Sequence, residues 1–457
     1  MIADKVLRQL VAVVGERYAL TDPVELTCYA YDATHYTNCP DVVLFPADRS
    51  QIVSIMTTAN RECVPVVPRG AGTSLSGGAT PLHGGIVLST TRLNRVLDVD
   101  TVGLTATTEP GVITAELQRW VESVGLFYPP DPSSLNVSTI GGNVVYGSGG
   151  PRGVKYGTTK DYVLGLEVVL ADGRVLNTEG AAEAGGYDLT RLFVSSEGTL
   201  GVITKIKVRL LPLPEARQTA LAVFDSLDAT GEAVAAIIAA RIVPTSMELM
   251  DNFTIRTVEE YRPVGLPLDA EGILLMEVDG FACEVAEQIE KVAAIAKGCG
   301  AREVKIARSR EENDDLWSAR RSAYAAQAKA RPTAIVEDAT VPRSCVPAML
   351  RKIGELARKH HLNVPVLAHA GDGNTHPVVL CDWRDKEEMA RADRFAEELF
   401  RETVAMGGTL TGEHGIGLVK KPFLECQHGP EGVAAMRLVK KAFDPHNILN
   451  PGKVLPE

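Results

Sequence analysis

The sequence predicts an α+β protein built in two main parts, and three observations carry that expectation. From about residue 42 to 212, short β-rich runs alternate with glycine-rich turns. LLPLPEARQ at 210–218 then closes a strand with two prolines. Beyond it, to about residue 408, strands are separated by alanine-rich helices. A chain of 457 residues exceeds one ordinary core, so each part is long enough to bury its own apolar interior. The formal net charge of -11 excludes nucleic acid or an anionic bilayer as a primary ligand, because such partners need an excess of Lys and Arg on one face.

The N-terminal segment, residues 1–40, opens with MIADKVLRQLVAVVGERYAL. Its scattered charges read as an amphipathic helix rather than an export signal, which places the protein in the cytoplasm. No apolar run reaches the roughly 20 residues a spanning helix needs, so membrane association is peripheral at most. In residues 41–214 the strand candidates are DVVLFP, VPVVPRG, GGIVLS, VLGLEVVLADGRVL and VITKIKVRLLPLP, with Asp172 and Gly173 marking a hairpin. In residues 215–408, DATGEAVAAIIAARI, ACEVAEQIEKVAAIAKGCG and KEEMARADRFAEELFRETVAMGG repeat apolar residues at three and four, as helices packed on one side of a sheet do. Residues 409–457 end in a helix and a proline-punctuated tail. The eight cysteines contain no C-x-x-C pair, which excludes an obvious iron–sulfur or cysteine-zinc ligand set.

VPVVPRGAGTSLSGGATP (64–81) brings four glycines, 70, 72, 77 and 78, directly after a strand. Glycines let successive N–H groups turn toward one point, making an anion nest suited to a pyrophosphate. The G-x-G-x-x-G spacing of a dinucleotide turn fails here, and no helix fits before the next strand, so the nest works without a helix dipole. PPDPSS (129–134), STIGGNVVYGSGGPRGVKYGTT (138–159) and SSEGTLGVIT (195–204) supply similar material.

HAGDGNTH (369–376) reads as strand, turn, strand, the first ending at Ala368 or His369 and the second beginning at His376. That return brings both imidazoles to one side, and Glu413 of TGEHG supplies a third ligand. Two His and one carboxylate leave open positions, the arrangement of a catalytic metal: Zn²⁺ first, Fe²⁺ or Mn²⁺ as alternatives. The other reading is that these histidines cap turns. Asp372 and Asn374 shape the turn through local side-chain to backbone bonds. In LWSARRSAY a helix would align Trp317, Arg320, Arg321 and Tyr324 on one stripe. An arginine fork there suits bidentate carboxylate recognition, with Arg321 the solvated member. Lys420 and Lys421 either add positive potential or are simply solvated.

PRGAGTSLSGGAT, PPDPSS, STIGGNV, VKYG and SEGTLGVIT resemble the FAD-binding domain of vanillyl-alcohol-oxidase type flavoproteins. HAGDGN-x-H and GEHG narrow the resemblance to the glycolate oxidase catalytic-subunit and D-lactate dehydrogenase branch, from about residue 20 to LNPGK. The resemblance implies a FAD-binding domain of two α+β subdomains plus an α+β cap domain with an antiparallel sheet and flanking helices. It implies that Pro68, Arg69, Gly70, Ala71, Gly72, Thr73, Ser74, Gly77 and Gly78 hold the FAD diphosphate. Pro130, Asp131, Ser134, Ser138, Gly141, Gly142 and Asn143 approach the cofactor, as do Gly198, Gly201, Val202 and Ile203. Asn450 returns to the flavin. Some relatives attach the flavin covalently through a histidine where this chain has Thr73, so non-covalent FAD is expected.

A divalent ion beside a flavin implies a chemistry: a 2-hydroxy acid chelates the ion, His414 removes the hydroxyl proton, and hydride leaves for flavin N5. By resemblance Arg320 clamps the substrate carboxylate. Relatives acting on dicarboxylic hydroxy acids have a lysine where this chain has Glu337, which favours D-lactate or glycolate over D-2-hydroxyglutarate. Electrons then pass to a separate iron–sulfur subunit, an electron-transferring flavoprotein or a quinone-linked acceptor. Two other classes stay open. A non-catalytic companion subunit would lack His369, His376 or Glu413, and a metal hydrolase would be colourless.

Overall fold

A computed structural model describes residues 2–180 and 185–456. The chain forms two compact units: Met1–Gly149, Thr158–Leu213 and Glu413–Glu457 make the first, Gly150–Gly157 and Pro214–Gly412 the second. Gly150–Gly157 thus joins the second unit, although the sequence reading assigns it to the first part.

The first unit contains two α+β layers. In one sheet the strands run Ala19–Leu20, Val42–Leu44, Ile86–Ser89, Val66–Arg69, the last three mutually parallel. Val42–Leu44 and Ile86–Ser89 are buried throughout, as parallel strands covered on both faces must be. Leu10 of helix Asp4–Val14 and Ile52, Ile55 and Met56 of helix Arg49–Arg61 share their core. The second sheet is antiparallel, in the order Val96–Asp100, Thr105–Thr108, Val202–Arg209, Val163–Val169, Val175–Asn177. The expected hairpin joins its last two strands, with Gly173 at φ +86° in the turn.

The second unit is an eight-stranded antiparallel sheet in the order Glu303–Ile306, Ala216–Phe224, Gly272–Gly280, Ser246–Asp251, Val366–His369, Asn374–Cys381, Thr333–Val336. Ala339–Thr340 also pairs with Asn374–Cys381. Period-2 alternation sorts its side chains: Ala220, Ala222 and Phe224 enter one core, Leu221 and Val223 the other. The three alanine-rich helices predicted from sequence, now Leu227–Ala239, Ala282–Gly298 and Lys386–Ala405, all contribute to the first core. Helices are not confined to that side, however. Asn252–Tyr261 and Arg310–Ala330 cover the opposite face, where Ala319, Ala323 and Ala326 pack inward. The central strands are buried on both faces and so carry near-continuous apolar runs, which hide a second helical layer from a periodicity reading.

All eight cysteines are free, and no helix among the described residues is long and apolar enough to cross a membrane.

Candidate active site

In the first unit the glycine loop leaves strand Val66–Arg69 and meets no helix before Ile86–Ser89, as expected. Arg69 is buried, and its Nη1 donates to the carbonyls of Tyr31 (2.8 Å) and Ala79 (3.2 Å). A Cβ on Gly72, at φ +74°, would run into that guanidinium, so the loop is wrapped around Arg69. Among the described residues the N–H groups of Ala71, Gly72, Thr73 and Ser74 meet no protein acceptor. Half-buried unpaired donors on a curled backbone are the donor set a diphosphate requires, so these residues fit FAD.

The other glycine-rich stretches close on this loop. A Cβ on Gly70 would strike the hydroxyl of Thr139, and one on Gly198 would touch Pro68. Pro130 accepts from Gln118 Nε2 at 2.8 Å. Ser138 and Asn143 are joined through Thr114, whose hydroxyl accepts from Asn143 Nδ2 at 2.7 Å. Gly141 packs on Pro110, Gly142 N–H donates to Thr139 Oγ1, and Gly201 packs against Val168. Val202 and Ile203 are buried and pair with Val169 and Val168. Asp131 and Ser134 are half-buried at the edge of this region. Asn450, at φ +43°, donates Nδ2 to the carbonyls of Gly78 (2.9 Å) and Glu197 (2.8 Å), stitching the loop, the SEG turn and the C-terminal tail together.

Two charged residues here, Glu197 and Lys453, were missed from sequence. Glu197 is fully enclosed and accepts from the N–H groups of Ile416 (2.6 Å) and Gly417 (2.9 Å), holding the segment that follows Glu413 and His414. Burial pushes its carboxyl up to about 7, against the pull of those two N–H groups. Lys453 donates to the carbonyls of Thr80 (2.6 Å) and Gly78 (3.2 Å), and burial lowers its ammonium to about 8. Lys420 is only 2% exposed, which corrects the reading of this lysine as solvated, and Lys421 Nζ donates to Gly452 O. None of these stands in a recognisable motif of its own. The available signal was a charged residue set directly among glycines and prolines, as in SEG and NPGK.

In the second unit, Val366–His369 and Asn374–Cys381 form the expected hairpin, although the second strand starts at Asn374 rather than His376. His369 pairs with Asn374 and Leu367 with His376, so the imidazoles are diagonal neighbours on one face, ring centroids 5.0 Å apart. Asp372 shapes the turn by accepting from Asn374 N–H at 3.1 Å. Asn374 does otherwise than expected: its Oδ1 accepts from Thr340 Oγ1 across the sheet. His376 Nδ1 lies 3.2 Å from the Glu337 carbonyl, and His369 Nδ1 lies 2.8 and 2.9 Å from the two oxygens of Glu248. Both contacts select the Nδ1–H tautomer, in which Nε2 carries the lone pair a metal takes. Asp338 accepts from Thr411 Oγ1 (2.5 Å) and Gly412 N–H (3.0 Å), which anchors the residue just before Glu413. His369 and His376 offer two nitrogen ligands on one face of this unit, a donor pair that suits a divalent ion, while Glu413, the third ligand expected from sequence, belongs to the first unit.

Arg320 and Trp317 are buried on helix Arg310–Ala330, whereas Arg321 is exposed and Tyr324 half-buried. Arg320 Nη2 stands 2.6 Å from Glu248 Oε2 as an ion pair, but without the alignment of a hydrogen bond. Among the described residues its Nε and Nη2 protons, the side-on pair of the fork, have no hydrogen-bond acceptor. His414 is buried.

Residues 213–454 match the family described as FAD linked oxidases, C-terminal domain, and residues 40–179 match the FAD binding domain. The chain is 48% identical to glycolate oxidase subunit GlcD of Bacillus subtilis, across 99% of this chain and 97% of that protein. It is 37% identical to a D-lactate dehydrogenase of Archaeoglobus fulgidus, covering 91% of each chain. Among solved structures, p-cresol methylhydroxylase aligns with a TM-score of 0.82 at 18% identity, over 99% of this chain and 96% of that one. 4-Ethylphenol oxidase from Gulosibacter chungangensis aligns at 0.81 and 19%, over 99% and 97%. The fold is that of the vanillyl-alcohol-oxidase type flavoproteins, and the chain belongs to the FAD-linked oxidases, as an oxidoreductase of the glycolate oxidase and D-lactate dehydrogenase branch.

Proposed function

We propose that the protein oxidises a small 2-hydroxy acid, D-lactate or glycolate, to the 2-oxo acid and passes the electrons to a separate protein acceptor. The observation that carries this reading is the pair of hairpin imidazoles with both Nδ1 atoms engaged, in a chain that also builds a diphosphate nest. The names of the two relatives above favour the same substrate class. When bound, FAD supplies the two-electron oxidant and a divalent ion, Zn²⁺ or otherwise Fe²⁺ or Mn²⁺, supplies a Lewis acid for the substrate hydroxyl.

His369, His376 and Glu413 would hold the ion, and the nest from Pro68 to Gly78 would hold the FAD diphosphate non-covalently. Arg320 binds the substrate carboxylate through its side-on N–H pair. His414, next to Glu413 in sequence, takes the hydroxyl proton as general base. Glu337, a buried carboxylate whose carbonyl is spent on His376, offers nothing to a second substrate carboxylate, which disfavours D-2-hydroxyglutarate. An external acceptor follows from the cysteines, which are scattered with no cluster spacing, and accords with a relative named as a subunit.

Anaerobic bleaching tests the reading. The purified, metal-loaded protein should be yellow and should lose its flavin absorbance on addition of glycolate or D-lactate, but not L-lactate. No bleaching by any of glycolate, D-lactate or D-2-hydroxyglutarate would overturn it.

A further inference from the structure

Glu248 lies in the middle of strand Ser246–Asp251, fully buried, and its direct cross-strand partner is His369. That register brings both carboxylate oxygens to His369 Nδ1, while Arg320 reaches the same group from helix Arg310–Ala330 on the Oε2 side. One carboxylate therefore serves two side chains of different purpose. Stability alone does not account for it, because a buried ion pair is often matched or bettered by apolar residues of the same volume. An ordinary core ion pair also has no need of an imidazole held by both oxygens.

We propose that Glu248 is a positioning residue that sets two properties of the site together: the affinity of His369 for the divalent ion and the placement of the Arg320 fork. Its contact with Nδ1 fixes the tautomer, orients the ring, and makes Nε2 a stronger donor than a neutral carbonyl, such as the one facing His376 Nδ1, would. On the other side, the carboxylate sets a counter-charge against Arg320 Nη2 without consuming a hydrogen bond, which keeps the Nε and Nη2 protons for a substrate anion. This inference rests on the reading of His369, His376 and Glu413 as ion ligands.

The test is Glu248→Gln in the full-length, FAD-loaded protein. Zn²⁺ and Mn²⁺ affinities are measured by competition with a chromogenic chelator, alongside KM, kcat and the flavin spectrum. Ion affinity should fall about 10–100-fold. KM for the hydroxy acid should rise severalfold, with the flavin spectrum unchanged. If the wild type binds an ion and Glu248→Gln binds it equally well with KM unaltered, Glu248 is a structural ion pair and the proposal fails alone. A wild type that binds neither ion overturns the proposal together with the metal reading beneath it. Should Glu248→Gln not fold, Glu248→Asp, which keeps the charge but shortens the reach to His369, must lower ion affinity in the same direction or the proposal is wrong.

Discussion

The nest of the first unit and the hairpin of the second are built by opposite means. The nest is made of backbone: Ala71 to Ser74 offer N–H groups, and side chains matter mainly by being small or, like Arg69, by supporting the loop from inside. The hairpin is made of side chains, two imidazoles whose orientation depends on an acceptor behind each ring. A backbone site should tolerate most substitutions except those that add a Cβ, whereas a side-chain site should fail at one truncation.

The largest effect expected is from His369→Ala. Turnover should drop to background and the ion should be lost, with the yellow colour retained because the nest is untouched; a colourless preparation would break the partition. His414→Gln should keep both flavin and ion yet lower kcat by about 10²–10⁴, the range for removal of a general base. An unchanged rate would remove this residue from the chemistry. Gly72→Ala reverses the pattern: a Cβ at φ +74° facing Arg69 should weaken FAD retention by at least about tenfold, read by ultrafiltration, while Zn²⁺ affinity stays the same.

The smallest effect concerns Glu197. Its folded carboxyl, at about 7, lies above the ordinary 4.5, so the folded state holds a proton the unfolded chain has released. Its contribution to stability is therefore greatest below about pH 4.5 and declines as pH rises to 7, by about 3 kcal/mol in all. The melting temperature of wild type should fall relative to Glu197→Gln across that window. The slope is the readout, since the amide also loses an acceptor for Gly417. Parallel pH profiles would count against the buried neutral acid.

Much of this was legible in the sequence because glycine and histidine reveal themselves locally. Gly70 to Gly78 implied a turn with exposed donors, and HAGDGNTH implied a return that juxtaposes two rings. Glu248 was not legible. SMELMD reads as a strand with one stray acid, and its purpose appears only when that strand is registered against VLAH, a pairing made across more than a hundred residues of intervening chain. Glu197 and Lys453 were hidden for the same reason: each acts on carbonyls or N–H groups far away in the chain. The second helical layer escaped because strands buried on both faces lose the alternation that would have announced it.

Ser195, Glu197 and Asn450 all take left-handed backbone conformations, with Gly198 beside them. Ser195 and Glu197 are held there against their own steric preference by the contacts that surround them, whereas Asn tolerates the conformation. Saturation libraries at 195, 197, 198 and 450 should consequently return a narrow alphabet of Gly, Asn and Asp, whatever activity is selected. Efforts to retune this scaffold toward new hydroxy acids will find more freedom in the second unit than at that crossing.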